Sequence, residues 1–174
     1  KRDRIQKNVP YDEIVAGIVL ARSRLDGESY ADYCARMSGY MSADSTTSFA
    51  DQPYLPYFWS RSNFDTSEER ALGFAYTFLG VRIQCAQCHK HPFDQWTKDD
   101  FDRFENFFTR VRFADAPGSK DEYKEMIAGL GIDPKKKGNE LDKELATLVK
   151  QGKVVPFRET FVMSPPKPLD PRTA

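Results

Sequence analysis

One short run of residues constrains this chain more than any other, because it brings two thiols and an imidazole within five positions. The run is Cys85-Ala86-Gln87-Cys88-His89. Two cysteines three positions apart, with a histidine directly after the second, are typical of covalent c-type haem attachment. The two thiols can form thioether bonds to one porphyrin, and the imidazole can then become an axial ligand of the iron. We therefore predict one covalently attached haem c, held by Cys85 and Cys88 and ligated by His89.

Two other chemistries use the same residue types, and both stay open. A zinc site would use both cysteines with His89 or His91, together with Cys34. A redox-active dithiol would use the two cysteines alone. Paired zinc motifs normally supply a second pair of ligands at a recognisable spacing, and a dithiol motif normally follows a strand. Helices are predicted on both sides of this motif, so the sequence favours haem over zinc and over a dithiol.

Composition excludes some broad classes of partner. The chain has 174 residues, which is enough for one domain with a sizeable core. Its 26 basic and 26 acidic side chains give a formal net charge of zero, which argues against a general binder of nucleic acid. No apolar run approaches the ~18 residues that a membrane span requires. The chain also opens on charged residues without an apolar signal region, so we expect it to be a fragment of a longer chain.

Helical patterns dominate the chain, and the predicted fold class is mainly α with long irregular loops. We predict a single haem-binding domain over residues 1–163 and a proline-rich, extended tail over residues 164–174. Helix starts are expected at Pro10, Ser29, Thr66 and Thr97, with later helices over about residues 119–130 and 138–150. Short strands are expected at residues 154–155 and 160–162, which would form a small β-hairpin near the C-terminus.

The residues that follow the pentapeptide are candidates for further contacts with the haem. His91 lies two positions after His89, so it cannot reach the opposite face of the same iron. We expect it to bond a propionate or to support a ligand. Phe93 and Trp96 are expected to cover the porphyrin and exclude water, together with Phe78 and Phe104. The sixth iron position is left open, with four thioether candidates: Met37, Met41, Met126 and Met163.

The segment FLGVRIQCAQCHKHPFDQWT, residues 78–97, resembles the planctomycete cytochrome c-like domain family. The resemblance is specific over about residues 66–108 and extends loosely to the N-terminal segment and to the proline-rich tail. That family carries the haem-type pentapeptide followed by His-Pro-Phe-Asp, and His91 matches this pattern. The resemblance implies a domain that lies beside another domain in a large exported polypeptide. Its function beyond the motif is unassigned in the family.

These observations predict an electron-transfer domain more than a catalyst. The expected partner is a redox protein or a neighbouring domain of a larger polypeptide, with no nucleic acid and no membrane span. The expected location is periplasmic or otherwise outside the cytoplasm. Two alternatives remain: a haem enzyme or sensor with an open iron position, and a structural or interaction domain stabilised by zinc.

Overall fold

The fold is mainly α-helical, as predicted, and it was analysed in a computed structural model. The structure describes residues 2–49, 52, 54–55, 57–61 and 64–164. The α-helices in these ranges are α1 (Arg2–Gln6), α2 (Tyr11–Val19), α3 (Tyr30–Met41), α4 (Ser67–Phe74), α5 (Lys98–Glu105), α6 (Lys120–Gly129) and α7 (Asn139–Lys150). Shorter helical turns lie at Phe58–Ser60, Ala75–Leu79 and Gln84–Gln87. Among the described residues, none of the helices has both the length and the apolar composition of a membrane span.

Two short strands complete the secondary structure of the described residues. Strand β1 (Val111–Ala114) pairs with β2 (Glu159–Val162) in an antiparallel sheet of two strands. The predicted strand at residues 160–162 is therefore present as part of β2. Residues 154–155, which were predicted as its partner, have no strand structure, and β1 takes that place.

The chain divides into two compact units. The first contains residues 1–58 and 113–161, and the second contains residues 59–112 and 162–174. Whether the two units make up the single domain expected over residues 1–163 stays a prediction. The predicted tail lies outside the described residues, apart from Ser164.

The core of the first unit is organised around α3. The helix begins where the Ser29 hydroxyl accepts a hydrogen bond from the Asp32 N–H, a common N-cap arrangement. Its inner face consists of Tyr30, Tyr33, Cys34 and Met37, all almost completely buried. Both tyrosine hydroxyls donate to backbone carbonyls of residues 157 and 158, at 2.9 and 3.0 Å. These bonds satisfy polar groups that burial would otherwise make costly.

A buried carboxylate strengthens the same unit. Glu159 is 5% exposed and accepts hydrogen bonds from the Arg24 guanidinium and from the Ser119 hydroxyl, the latter at 2.6 Å. Its charge is therefore both paired and hydrogen-bonded, which is the condition for burying a carboxylate without a large desolvation cost.

A second apolar cluster of the first unit joins α6 to α7. Its buried members are Ile127, Ile132 and Leu141, and Tyr123 and Leu145 pack against them. Gly131 makes the turn after α6 with a φ of +72°, a conformation that glycine adopts without strain. The two helices are thus held together by an apolar cluster of their own, which shares Tyr123 with the cluster around α3.

Helix α4 begins the part of the second unit that leads to the cysteine motif. Thr66 and Glu69 form the predicted capping box, in which each side chain accepts a bond from the backbone N–H of the other residue. The helix continues beyond Phe74 as a π-helical turn over Ala75–Leu79, and Gly80 ends it in the left-handed conformation. The sequence pattern predicted an end near Gly80 but not the change from α to π, which is a rare conformation that is frequent at functional sites.

The core of the second unit is small and rich in aromatic rings. Helix α5 starts from a second capping box, formed by Thr97 and Asp100, and buries Phe101. Phe64 is also buried and lies over Gly73 of α4, where a Cβ added to the glycine would lie 2.2 Å from the Phe64 Cε1 atom. Four further phenylalanine rings form a chain of contacts with centroid distances of 5.2–6.2 Å: Phe74, Phe78, Phe104 and Phe108.

Candidate functional site

The cysteine motif forms a tight 3₁₀ turn directly after the π-helical segment. The turn spans Gln84–Gln87, and the Cys88 N–H closes it by donating to the Cys85 carbonyl. Ile83 and Ala86 are buried and fix the turn to the core of the second unit. In a 3₁₀ turn, residues three positions apart lie on the same side. Cys85 and Cys88 are accordingly both exposed, and both are free thiols.

His89 is held in one tautomer by its neighbour in the chain. Its Nδ1 atom lies 2.7 Å from the carbonyl oxygen of Lys90. Because a carbonyl only accepts, Nδ1 must carry a proton, and in the neutral imidazole the lone pair is then on Nε2. Within the described residues Nε2 has no hydrogen-bond partner, and the ring is exposed. A backbone carbonyl on the second nitrogen is the usual arrangement for a histidine that ligates a metal.

His91 has the opposite tautomer and a different set of contacts. Its backbone N–H donates to the Trp96 carbonyl at 2.8 Å, and its Nδ1 accepts from the Phe93 N–H at 3.3 Å. Nε2 must therefore carry the proton, which it donates to the Arg82 carbonyl at 3.1 Å. Both ring nitrogens thus bond the backbone on either side of the motif. Its predicted contact with a cofactor stays a prediction.

Asp94 also has specific partners in this loop. Its carboxylate accepts from the Gln95 N–H at 2.7 Å and from the indole N–H of Trp96 at 3.1 Å. It therefore orients the indole ring of Trp96. The bonds of Asp94, together with those of His91, give the exit from the motif a defined conformation.

An apolar recess lies beside the motif. Its volume is about 70 Å³. The residues that line it are apolar except for one carboxylate: Ala75, Leu79, Val81, Ile83, Ala86, Trp96, Asp100, Phe101 and Phe104. Leu79, on the π-helical turn, is 56% exposed. Sequence reasoning identified Trp96 and Phe104 as contacts of a cofactor but missed the aliphatic residues. Ile83 and Ala86 are three positions apart, as the two cysteines are, and this spacing indicates that the turn has a buried side.

The other two aromatic residues expected near a cofactor do not line the recess, and their contact with a cofactor stays a prediction. Phe93 is 94% exposed, and its ring centroid is 6.5 Å from that of His91. Phe78 packs against Phe74 and does not line the recess. The structure therefore brings together Cys85, Cys88, His89, His91 and Trp96 in one loop, while Phe93 extends from that loop into solvent.

Nothing in the described ranges supports a multi-residue metal site. No group of three or more histidine, cysteine, aspartate or glutamate side chains there could hold a metal ion. Cys34, the third cysteine that the zinc hypothesis used, is fully buried in the core of the first unit. Burial raises the pKa of its thiol, which disfavours the thiolate that zinc requires.

Comparison with known proteins identifies a family but not an activity. A family model named PSCyt2 matches residues 2–113 and is described as a protein of unknown function (DUF1549). No curated protein and no solved structure matches the chain. The family description gives no support for a cytochrome c identity. Because the match covers more than half of the chain, the protein belongs to the PSCyt2 family of unknown function.

Proposed function

We propose that the second unit binds one covalently attached haem c through Cys85 and Cys88, with His89 as axial ligand, and that it transfers electrons. The observation that carries this proposal is the combination of two exposed free thiols with an imidazole whose Nε2 lone pair is available. The sequence motif alone specifies the residue types. The hydrogen bond from Nδ1 to the Lys90 carbonyl adds the tautomer that an iron ligand needs.

The residues around the motif fit a haem that is only partly covered. The recess of about 70 Å³ is well below the roughly 300–1,000 Å³ of pockets that enclose a ligand. Leu79, Trp96 and Phe104 would therefore contact part of a porphyrin and leave an edge exposed to solvent. When bound, the haem supplies one-electron redox chemistry, and its potential depends on burial and on the axial ligands. An exposed edge suits exchange of electrons with a partner protein.

Each residue of the site has a separate task in this proposal. Cys85 and Cys88 would hold the haem through two thioether bonds, each formed when an S–H adds across one vinyl group. His89 presents Nε2, and the Lys90 carbonyl holds its ring in place through Nδ1. His91 and Asp94 fix the loop that follows.

The proposed attachment chemistry also implies a location and a partner. Covalent haem of this type points to a periplasmic or otherwise extracytoplasmic protein. The electron donor or acceptor would be another redox protein or a neighbouring domain of the same polypeptide. A face with exposed apolar groups, such as the Phe93 ring, would suit such a contact.

The decisive experiment is an optical spectrum of the oxidised and reduced protein, made in a host that can mature c-type cytochromes. We expect a haem that stays with the protein after extraction with acid and acetone. Cys88→Ala should lose one thioether bond and His89→Ala should alter the spectrum, whereas Cys34→Ala should retain the wild-type spectrum. A colourless protein, or metal analysis showing zinc and no iron, would overturn the proposal.

A second candidate function is a haem sensor or enzyme with an open iron position. The observation that favours it is the placement of the methionines. Met37 is buried in the core of the first unit and Met126 packs against it, and Met163 is the one methionine in the sequence of the second unit. Met163 is not among the described residues that line the recess. Rapid binding of carbon monoxide to the reduced protein would select this function, and absence of binding would select electron transfer with two axial ligands.

A further inference from the structure

The first unit contains a cavity that the sequence patterns did not predict. Its volume is about 520 Å³, which falls within the roughly 300–1,000 Å³ of pockets that bind small molecules. The cavity lies between the cluster around α3 and the cluster between α6 and α7, which do not pack against each other completely. Tyr123 belongs to the edge of both clusters and lines the cavity. The cysteine motif, which lies in the second unit, contributes nothing to it.

The walls of the cavity are mainly aromatic and aliphatic. Four aromatic rings line it, together with aliphatic side chains from α3, α7 and the segment before β2: Tyr57, Phe113, Tyr123, Phe157, Met41, Leu145, Val149 and Val155. Such a surface favours the apolar body of a ligand, because contact with it removes apolar area from water.

The charged residues that line the cavity are predominantly basic. Lys150 and Arg158 contribute two cations, and Asp142 contributes one anion. Lys150 has no ion pair within the described residues. Arg158 has only a long contact of 3.9 Å with Asp115 and is about half exposed. The cavity therefore combines apolar walls with two cationic side chains, and Lys150 is free of an ion pair in the described part of the chain. These cations can pair with the negative group of an apolar molecule, although Asp142 and Asp115 lie nearby.

Tyr123 adds a polar donor to this arrangement. No hydrogen-bond partner of its hydroxyl is present in the part of the chain that the structure describes, although the side chain is partly buried. Burial raises the pKa of this phenol, so it keeps its proton and can donate. A carboxylate ligand could accept that hydrogen bond while it pairs with the two cations.

We propose that this cavity binds a small amphipathic carboxylate, with its apolar chain or ring against the aromatic walls and its carboxylate paired with Arg158 and Lys150. The proposal is independent of haem binding. Most of the lining residues come after residue 113, where the family match ends. The site would therefore be a property of this chain rather than of the matched family segment.

The test is calorimetric titration of the full chain with octanoate, compared with octan-1-ol and octylammonium. We expect octanoate to bind more tightly than the other two, because only its headgroup complements Arg158 and Lys150. Arg158→Gln should weaken octanoate binding about tenfold, the effect of losing one charge-assisted contact. The matched control is Lys143→Gln, which removes a cation from an exposed position of α7 that does not line the cavity, and it should leave the affinity unchanged.

A second variant tests the cavity itself rather than its charges. Ala146 is exposed and lines the cavity from α7, so Ala146→Trp should fill the opening without disturbing the core, and circular dichroism will verify the fold. We expect it to abolish binding of octanoate. Absence of octanoate binding to the wild-type chain, equal affinity for octan-1-ol, or unchanged affinity in Ala146→Trp would each overturn the proposal.

Discussion

The two units of this protein place cysteine side chains in opposite environments. In the first unit, Cys34 is completely buried among tyrosine and methionine side chains, and burial raises the pKa of its thiol. In the second unit, Cys85 and Cys88 are exposed on a turn that Ile83 and Ala86 fix to the core. The difference shows that the environment, and not the residue type, separates an inert cysteine from one available for chemistry.

Several buried polar groups of the first unit and the polar groups of the motif loop differ in how far away in the sequence their hydrogen-bond partners lie. In the first unit, tyrosine hydroxyls and Glu159 are satisfied by partners far away in the sequence. In the second unit, His89, His91 and Asp94 bond residues of their own loop. These groups of the first unit hold distant segments together, whereas His89, His91 and Asp94 shape the loop in which they lie. Longer polar contacts also occur in the second unit, where the Ser67 hydroxyl donates to Glu105 and the Gln87 amide donates to Glu68. The reactive atoms of Cys85, Cys88 and His89 are exposed.

The largest predicted effect concerns the reactivity of the thiols in protein made without haem attachment. Cys85 and Cys88 should react with iodoacetamide rapidly, whereas Cys34 should react at least about a thousandfold more slowly, because it must wait for the core to open. Mass spectrometry of timed samples measures this, and Cys34→Ala identifies the slow site. Three thiols of equal reactivity would show that the contrast between the units does not exist in solution.

A second test removes the buried charge of the first unit. Glu159→Gln should lower the free energy of unfolding by about 3 kcal/mol, because it leaves the Arg24 guanidinium without its carboxylate partner. The matched control, Glu125→Gln, changes an exposed residue of α6 and should have an effect below about 0.5 kcal/mol. Urea unfolding followed by circular dichroism measures both. Equal effects of the two variants would contradict the role of Glu159.

Two glycines in helices offer a matched comparison between the units. In Gly73→Ala the new methyl group would collide with the buried Phe64 ring, and we expect a loss of about 1–3 kcal/mol. In Gly39→Ala, on α3, nothing lies within 4 Å of the new Cβ, so the better helix propensity of alanine should add about 0.5–1 kcal/mol.

Fluorescence sharpens this comparison, because both tryptophans, Trp59 and Trp96, are in the second unit. The Gly73→Ala effect should therefore be visible in tryptophan fluorescence during urea unfolding. If Gly73→Ala were neutral, Phe64 would have room to move, and the packing over α4 would be looser than the structure indicates.

The smallest expected effect is a pH dependence of the first unit. Burial alone would raise the pKa of Glu28, but hydrogen bonds from Arg36 and from the Leu25 N–H outweigh it and lower that pKa. A lowered pKa in the folded state means that Glu28 stabilises the fold above its unfolded pKa. This contribution is lost as the pH falls through the folded value. Glu28→Gln should therefore make stability less dependent on pH in the acidic range, measured as the urea midpoint by circular dichroism. A steeper acid dependence in the variant would contradict this sign.

Local signals in the sequence predicted much of the helical structure. The starts of α3, α4 and α5 follow from Ser29, Thr66 and Thr97, because an N-cap side chain bonds a backbone N–H only two or three residues away. The identity of the cysteine motif was equally local. Helix starts that depend on a capping side chain were therefore readable from the sequence, whereas the π-helical turn after α4 was not.

The features that were missed depend on contacts between distant residues. The partner of β2 is β1, which begins 48 residues earlier, and no local pattern specifies that pairing. The recess next to the motif and the cavity of the first unit arise from side chains that several elements contribute. The contacts of His91 show the same limit, because its spacing predicted a role near the cofactor but not that both ring nitrogens bond the backbone.

The hydrogen bonds of the two tyrosine hydroxyls of α3 limit where the chain can be truncated for expression. The family match ends at residue 113, yet Tyr30 and Tyr33 donate to carbonyls at residues 157 and 158. An expression boundary placed at the end of the match would strip both acceptors away and open the interior around Cys34 to water. The truncated chain would lose these hydrogen bonds and would expose the apolar side chains packed around Tyr30 and Tyr33, so the shortened product should be insoluble or unfolded. The end of the family match is therefore not the end of the segment that the core around α3 needs in order to fold.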